Sequence, residues 1–370
     1  MRAARLCRGL AVCLACCALL SGCSMGYAPL SPTPADPVSA QAALDALEKQ
    51  VDLYAREIRV EEIDFARVPM IRDEEAFQAL WELALERRVN RLAFVTEDEA
   101  LTLPEGGSAL AHQEGLQAVT PYVWQDEDGL YMVLYEITHY EGEHAAYAYL
   151  NGEEDSLTQR EKRLLERALE LLDRLDEGLE GYELLVCLHD LVRDAASYTP
   201  ADLSENRLSG QTSAYGLLLE GRANCQGYAD ALQLLCLLSG LPCRKITGEV
   251  DGGPHVWNLV QVDGAWMHVD ATFDDSFFGE ELRAYVFLGT PEWLLAQTHS
   301  WAVEDVPGAV DEGLFYYARN GLILSAEERP PEGCVTFLYE GGAEQAAQAF
   351  PGYACREIGP YQVLSLPQPS

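Results

Sequence analysis

The chain has 370 residues, with 25 basic and 60 acidic side chains and a formal charge of −35. Such a surface repels nucleic acid and anionic wall polymers at long range, which argues against either as a natural partner. Hydrophobic residues make up 48% and fall in periodic stretches, so the charge belongs to a folded chain rather than a disordered one.

Residues 1–22 read as a secretion signal. Arg2, Arg5 and Arg8 form a positive n-region, and Leu10 to Leu20 is an apolar run of 11 residues. That run is short of the roughly 20 residues a spanning helix needs. Leu20-Ser21-Gly22-Cys23 resembles the bacterial lipobox, in which the cysteine receives a diacylglycerol thioether and becomes the mature N-terminus. An ordinary signal peptide cut slightly later is the alternative. Either way the mature chain leaves the cytoplasm, and a lipid on Cys23 would tether it to the outer face of the cytoplasmic membrane. Loss of the three arginines takes the formal charge from −35 to −38. Residues 23–40 are Pro-rich and read as a stiff spacer. Of 11 cysteines, Cys7, Cys13, Cys16 and Cys17 leave with the signal and Cys23 is consumed by lipid. Among the six left, only Cys334 and Cys355 lie together in a loop-rich tail, where they are the one candidate disulfide.

Residues 41–151 suggest a small α/β domain. Gln41 to Arg59 has the pattern of an amphipathic helix, and Glu74 to Arg88 places Phe77, Leu80, Trp81, Ala84 and Leu85 at helical spacing. RLAFVTE and YMVLYEITHY read as strands, with AAYAYLN expected to pair beside them. His112, His139 and His144 share no ligand spacing and read as surface or loop residues.

A second domain is expected over residues 156–306. Thr158 and Glu161 form a capping box ahead of a helix whose stripe is Leu164, Leu165, Ala168, Leu171, Leu172 and Leu175. Tyr182 to Ala196 is another helix, with His189 beside its apolar face as a hydrogen-bonded core histidine. Asn224 is a good N-cap for a third, running from Cys225 towards Gly240. Cys225 alone reads as a small buried hydrophobe, half a disulfide or a nucleophile. Its place in the first turn favours an anion, and so the nucleophile. Cys236, mid-helix among leucines, reads as packing.

Asp263-Gly264 is a strong two-residue hairpin signal between alternating runs. If Val262 pairs with Ala265, Leu259 faces His268 and Trp257 faces Asp270. His255 and Asp270 then become diagonal neighbours on one sheet face, with Cβ atoms roughly 7 Å apart. A slip of one residue would put them on opposite faces. A cysteine at a helix N-terminus with a histidine oriented by a carboxylate is the arrangement that nucleophilic acyl transfer requires. As metal ligands, His255, His268 and Asp270 lack a tight pair such as C-x-x-C, so no metal or other cofactor is expected. His268 reads as a structural neighbour. Asp274 and Asp275 read as a solvated turn, with a calcium site as the alternative, and His299 in QTHSW as a brace behind the site.

SAYGLLLEGRANCQGYADALQLLCLLSGLPC, HVWNLVQVDGAWMHVDATFDD and YVFLGT, in that order, strongly resemble bacterial transglutaminase-like domains. The resemblance covers about Thr158 to Trp301. It implies Cys225 as nucleophile, His255 as general base and acid, Asp270 as the residue orienting His255, and a papain-like α+β fold with the cysteine helix on an antiparallel sheet. For the oxyanion, the Cys225 N–H is one donor and the second is left among Tyr198, Gln211 and Tyr215, with Trp257 expected to wall the acyl site. The chemistry implied is attack on protein or peptide amides through a thioester. A cell-wall peptidase and a non-catalytic binding module are the alternatives. Residues 307–370 form a β-rich extension: FYYARNGLILS, CVTFLYE and YQVLSLP read as strands, with a short helix at Ala343 to Ala349.

Overall fold

The computed structural model describes residues 42, 45, 47, 63–65, 68–102, 116–200, 212–276, 284–302, 313 and 315–366. The signal, Cys23, the spacer, His112, Gln211 and most of the first helix lie outside them. Among the described residues no helix is long and apolar enough to cross a membrane. The chain divides into two compact units, residues 1–140 and 141–370.

In the first unit, α1 (Glu74–Glu86) starts at Asp73, whose side chain accepts from the Ala76 N–H at 2.9 Å. Its expected stripe is real: Phe77, Leu80, Trp81 and Ala84 are fully buried. They pack with a three-stranded antiparallel sheet in the order β1 (Arg91–Thr96), β3 (Tyr131–His139), β2 (Leu116–Gln125). The strand β2 was not expected. Pro121 interrupts its pattern, and it is tolerated because β2 lies at the sheet edge. His139 is not a free surface residue, since its Nε2 lies 3.1 Å from the Val89 carbonyl.

AAYAYLN is not a strand but the end of helix α2 (Glu141–Asn151), so the first unit stops at Tyr140, short of the expected 151. The Tyr-Ala-Tyr alternation mimics a strand, but Ala145, Ala146 and Ala148 are good helix formers that give a smooth, small-residue face. That face is buried in the same cluster as Tyr228, Leu232 and Leu235, leaving Tyr147, Tyr149 and Leu150 exposed. His144 pairs with Glu161 at 2.7 Å and is part-buried, again not a surface residue. The capping box of α3 (Gln159–Leu172) is present in both directions, Glu161 N–H to Thr158 Oγ1 at 3.2 Å and Thr158 N–H to Glu161 Oε2 at 2.8 Å. Then come α4 (Gly181–Ala195), the two-residue strand β4 (Ser197–Tyr198), α5 (Ala214–Glu220), β5 (Arg222–Ala223) and α6 (Cys225–Leu238).

The central sheet is antiparallel, in the order β10 (His299–Trp301), β6 (Cys243–Val250), β7 (Gly253–Val262), β8 (Ala265–Val269), β9 (Leu288–Thr290). Asp263 and Gly264 both take positive φ, 52° and 82°, as a two-residue primed turn requires. The hairpin has the expected register, with Val262 opposite Ala265 and Leu259 opposite His268. Alternation assigns its two faces. Val260, Val262, Met267 and Val269 share a buried cluster with Leu232 and Leu235 of α6. Trp257 and Leu259 instead join Ile246 and Phe287. The expected mixed α+β architecture, with the cysteine helix on an antiparallel sheet, is therefore present.

After α7 (Ala271–Ser276) and β9, the tail adds β11 (Ile323–Leu324), β12 (Thr336–Glu340), α8 (Ala343–Ala349), β13 (Ala354–Ile358) and β14 (Tyr361–Ser365). FYYARNGLILS yields a helical turn, Tyr316–Arg319, and only two strand residues. The sheet order is β11-β12-β14-β13. Cys334, just before β12, and Cys355 on β13 are thus separated by β14. Two strand spacings of about 4.8 Å exceed the roughly 7 Å a disulfide spans. Both thiols are free, so the candidate bridge is not formed.

Candidate active site

Asn224 caps α6 through its side chain, which accepts from the Gln226 and Gly227 N–H groups at 3.1 and 3.3 Å. The Cys225 N–H precedes these two in the first turn of the helix. Cys225 and Gln226 are half-buried, whereas Gly227 to Cys236 are buried, which leaves the thiol at the tip of the packed helix. The helix is tied down elsewhere by buried groups. The carboxylate of Asp230 accepts from the Gly142 and Ala214 N–H groups, each at 3.0 Å, and from Lys245 Nζ at 3.4 Å. Asn258 of β7 donates to the Ala229 carbonyl at 3.0 Å.

His255 stands on β7 opposite Gly248 of β6. Its Nε2 lies 2.7 Å from Asp270 Oδ2. With Nε2 spent on Asp270, Nδ1 is the ring nitrogen left to serve the thiol of Cys225, which is among the groups that act on His255 electrostatically. Burial pulls the His255 pKa down, but the charge and hydrogen bond of Asp270, together with Cys225, raise it to about 10. Burial likewise raises Asp270, yet His255 and His299 outweigh it and hold the carboxyl well below the usual carboxylate range.

Asp270 is held from several sides. It follows β8 directly and begins α7, with its N–H on the Phe287 carbonyl at 2.9 Å and its Oδ1 accepting the Phe273 N–H at 3.1 Å. Its Oδ2 receives a second imidazole, His299 Nε2 at 3.0 Å, whose Nδ1 lies 2.7 Å from Thr298 Oγ1. His299 comes from β10, on the far side of β6 from β7, and the sheet order brings it here. Among the described residues His255, Asp270 and His299 also form the one group with metal-ligand atoms mutually within 4.8 Å. Both imidazoles already direct Nε2 at one carboxylate oxygen, so a cation would have to replace both protons.

The remaining expected residues separate clearly. Tyr198 is beside the site: burial, then the charges of Cys225 and Asp270, push its phenol up. It pairs with Ala223 two residues before the cysteine and is 44% exposed. Tyr215 is buried. The Arg160 guanidinium covers its ring at 3.7 Å, which commits it to the packing of α3 on α5. Gln211 lies outside the described residues. Trp257 is 1% exposed and so does not wall an open acyl site. Its ring stacks along His255 at 5.9 Å and its N–H goes to His268 Nδ1 at 3.0 Å. Burial, helped by the His299 charge, lowers the pKa of His268 to about 4, so that ring is a neutral acceptor.

Asp274 corrects the expected solvated turn. It is fully buried, accepting the Phe287 N–H on Oδ1 at 3.0 Å and facing His189 Nε2 with Oδ2 at 3.1 Å. Burial of the pair raises Asp274, while the bonds to Asp190 and Asp274 outweigh burial and raise His189. His189 is thus a hydrogen-bonded core histidine that anchors α7 to α4. Asp275 accepts from the Tyr228 hydroxyl at 2.6 Å. Asp274 is thus not a solvated turn residue, and Asp275 is half-buried.

The Transglutaminase-like superfamily model matches residues 170–271, and that segment is a transglutaminase-like domain. Kyphoscoliosis peptidase of Homo sapiens is 29% identical over 84 residues and that of Mus musculus 26% over 87. Each match covers 20% of this chain and only 13% of the relative, so the chain spans a small fraction of those proteins. Among solved structures, the crystal structure of a TGase aligns with 65% of this chain and 60% of that one, at 13% identity and a TM-score of 0.26. A putative cysteine protease from Cytophaga hutchinsonii aligns with 43% of this chain and 65% of its own, at 15% identity and a TM-score of 0.25.

Proposed function

We propose that this protein is a cysteine-dependent acyl transferase or amidohydrolase that acts on protein or peptide amides through a thioester on Cys225. The observation that carries the reading is the 2.7 Å contact of Asp270 Oδ2 with His255 Nε2, with Cys225, first residue of a helix, among the groups that raise His255. With a pKa of about 10 in the presence of its partners, His255 is an imidazolium at neutral pH. That charge and the N–H groups of the first turn of α6 favour a thiolate.

The thiolate attacks the amide carbonyl carbon, and its electron pair becomes the new C–S bond while charge moves to oxygen. We assign the Cys225 N–H and the Tyr198 hydroxyl as the donors for that oxygen. His255 passes its Nδ1 proton to the leaving amine, the C–N bond breaks, and the thioester remains. An incoming nucleophile then returns a proton to His255 and displaces the thiolate. A lysine-like amine gives an isopeptide bond, and water gives a cleaved or deamidated product. Asp270 stays ionised throughout and keeps the imidazole in one tautomer. The N-terminal sequence supports a place outside the cytoplasm, with Cys23 as lipid anchor at the outer face of the membrane and the spacer lifting the enzyme off it.

The test incubates the full-length protein, and a Cys225→Ala variant, with wall and secretome material and a biotinylated primary amine. New isopeptide bonds or amine labels that depend on Cys225 assign transfer, and new termini that depend on it assign hydrolysis. Products formed equally by both proteins, or by neither, overturn the reading in favour of a binding module.

A further inference from the structure

His299 sits 29 residues beyond Asp270 in the chain, yet its Nε2 meets the same carboxylate oxygen as His255. Asp270 Oδ2 therefore receives two imidazole N–H groups, at 2.7 and 3.0 Å, one for each lone pair. His299 is 3% exposed and reaches no solvent-filled cleft itself. It packs edge-on against Trp257 at 5.1 Å and Phe273 at 4.9 Å, the two rings that also flank His255. Its Nδ1 is turned towards Thr298 Oγ1 at 2.7 Å, which fixes the ring so that Nε2 faces the carboxylate. A histidine buried only for packing needs neither contact.

We propose that His299 is a positioning residue for the Cys225–His255–Asp270 group, holding Asp270 Oδ2 in place and withdrawing carboxylate charge so that His255 gives up its proton more readily. The proposal rests on the acyl-transfer reading above. It has a physical motive there. An unshared, buried carboxylate would hold the His255 proton tightly, favouring the thiolate–imidazolium pair but slowing protonation of the leaving amine. A second donor on the same oxygen weakens that hold without moving the imidazole. The titratable groups facing His255 are Cys225 from α6, Asp270 after β8 and His299 from β10, with Tyr198 of β4 near enough to feel Cys225 and Asp270 and His268 of β8 behind Trp257.

The test compares wild type with His299→Leu, which removes the donor, and His299→Gln, which keeps an N–H at comparable reach. The first readout is the pH dependence of Cys225 alkylation by the anionic reagent iodoacetate, followed by mass spectrometry, which needs no substrate. The wild-type rate should fall at high pH as His255 loses the positive charge that draws the reagent to the thiolate. In His299→Leu that fall should move to higher pH, and His299→Gln should restore it. The second readout is acyl transfer to the biotinylated amine, where His299→Leu should lose about 10- to 100-fold in kcat with little change in KM. Circular dichroism checks each fold. If His299→Leu does not fold, Thr298→Val, which frees the ring, should shift the profile in the same direction by less. A leucine variant with the wild-type profile and rate, a glutamine variant no better than leucine, or an unshifted Thr298→Val overturns the proposal. A wild type whose Cys225 shows no preferential alkylation overturns the acyl-transfer reading instead.

Discussion

At the residue scale the site depends on where each proton sits. Asp270 accepts from His255, His299 and the Phe273 N–H, so it must be a carboxylate. In Asp270→Asn an amide N–H would confront an imidazole N–H, turning His255 into the wrong tautomer. We predict a loss of about 10⁴-fold in Cys225-dependent acyl transfer with the fold retained, measured by turnover beside circular dichroism. The residues at this scale were legible in the sequence to different degrees. His255 and Asp270 could be placed because the Asp263-Gly264 turn fixes a register, and a register fixes which side chains share a face. His299 could be suspected as a brace but not joined to Asp270 Oδ2, because only the sheet order β10-β6-β7 brings it there. Asp274 was misread for a related reason. Two acidic residues after a strand look solvated until α4 supplies His189 from 85 residues away.

At the element scale α6 is the part that must not move, and its neighbours approach it closely. A Cβ at Gly142 would lie 2.8 Å from both the backbone oxygen and Oδ1 of Asp230. Gly142→Ala should therefore destabilise the protein by about 1–3 kcal/mol, seen as a lower midpoint in urea with an unchanged slope. Gly248 on β6 is equally tight, because a Cβ there would collide with the Ser300 carbonyl and the Trp257 ring. In Gly248→Ala we expect Trp257 and His255 to be displaced together, so that Cys225 alkylation slows as well as stability falling. A Gly248→Ala protein that alkylates at the wild-type rate would contradict the place given to Trp257. Long 3.6-residue stripes and the capping box were readable here because each is a local pattern. The helix α2 was not, since alternating Tyr and Ala satisfies a strand pattern and only burial against α6 selects the helix. The edge strand β2 was hidden by Pro121.

At the scale of the whole molecule, each hydrophobic cluster belongs to one unit. One cluster runs from Leu47 to Ile137, and the other two lie between Ala145 and Leu364. We predict that a chain of residues 141–370 folds cooperatively by itself and keeps selective alkylation of Cys225. A molten or aggregating product would show that the second unit is not self-sufficient. Stability should also depend on pH in a definite way. His255 is raised to about 10 in the folded protein, so its contribution is complete below an unfolded value of about 6.5 and is lost as the pH climbs through 10. His268 is lowered to about 4, so its contribution is present above 6.5 and is lost as the pH falls towards 4. Each limb is worth on the order of a few kcal/mol, and denaturant midpoints taken across this range should peak between them. His268→Gln should flatten the acid limb.

The proposed chemistry turns on Cys225 being the reactive thiol that His255 serves. The most direct measurement is peptide mapping after one equivalent of iodoacetamide is added to the native full-length protein at neutral pH. Label should appear first on half-buried Cys225, ahead of the half-buried Cys187 and Cys334 and even the exposed Cys355. Slow and uniform labelling of all accessible thiols, or label on Cys355 before Cys225, would contradict it.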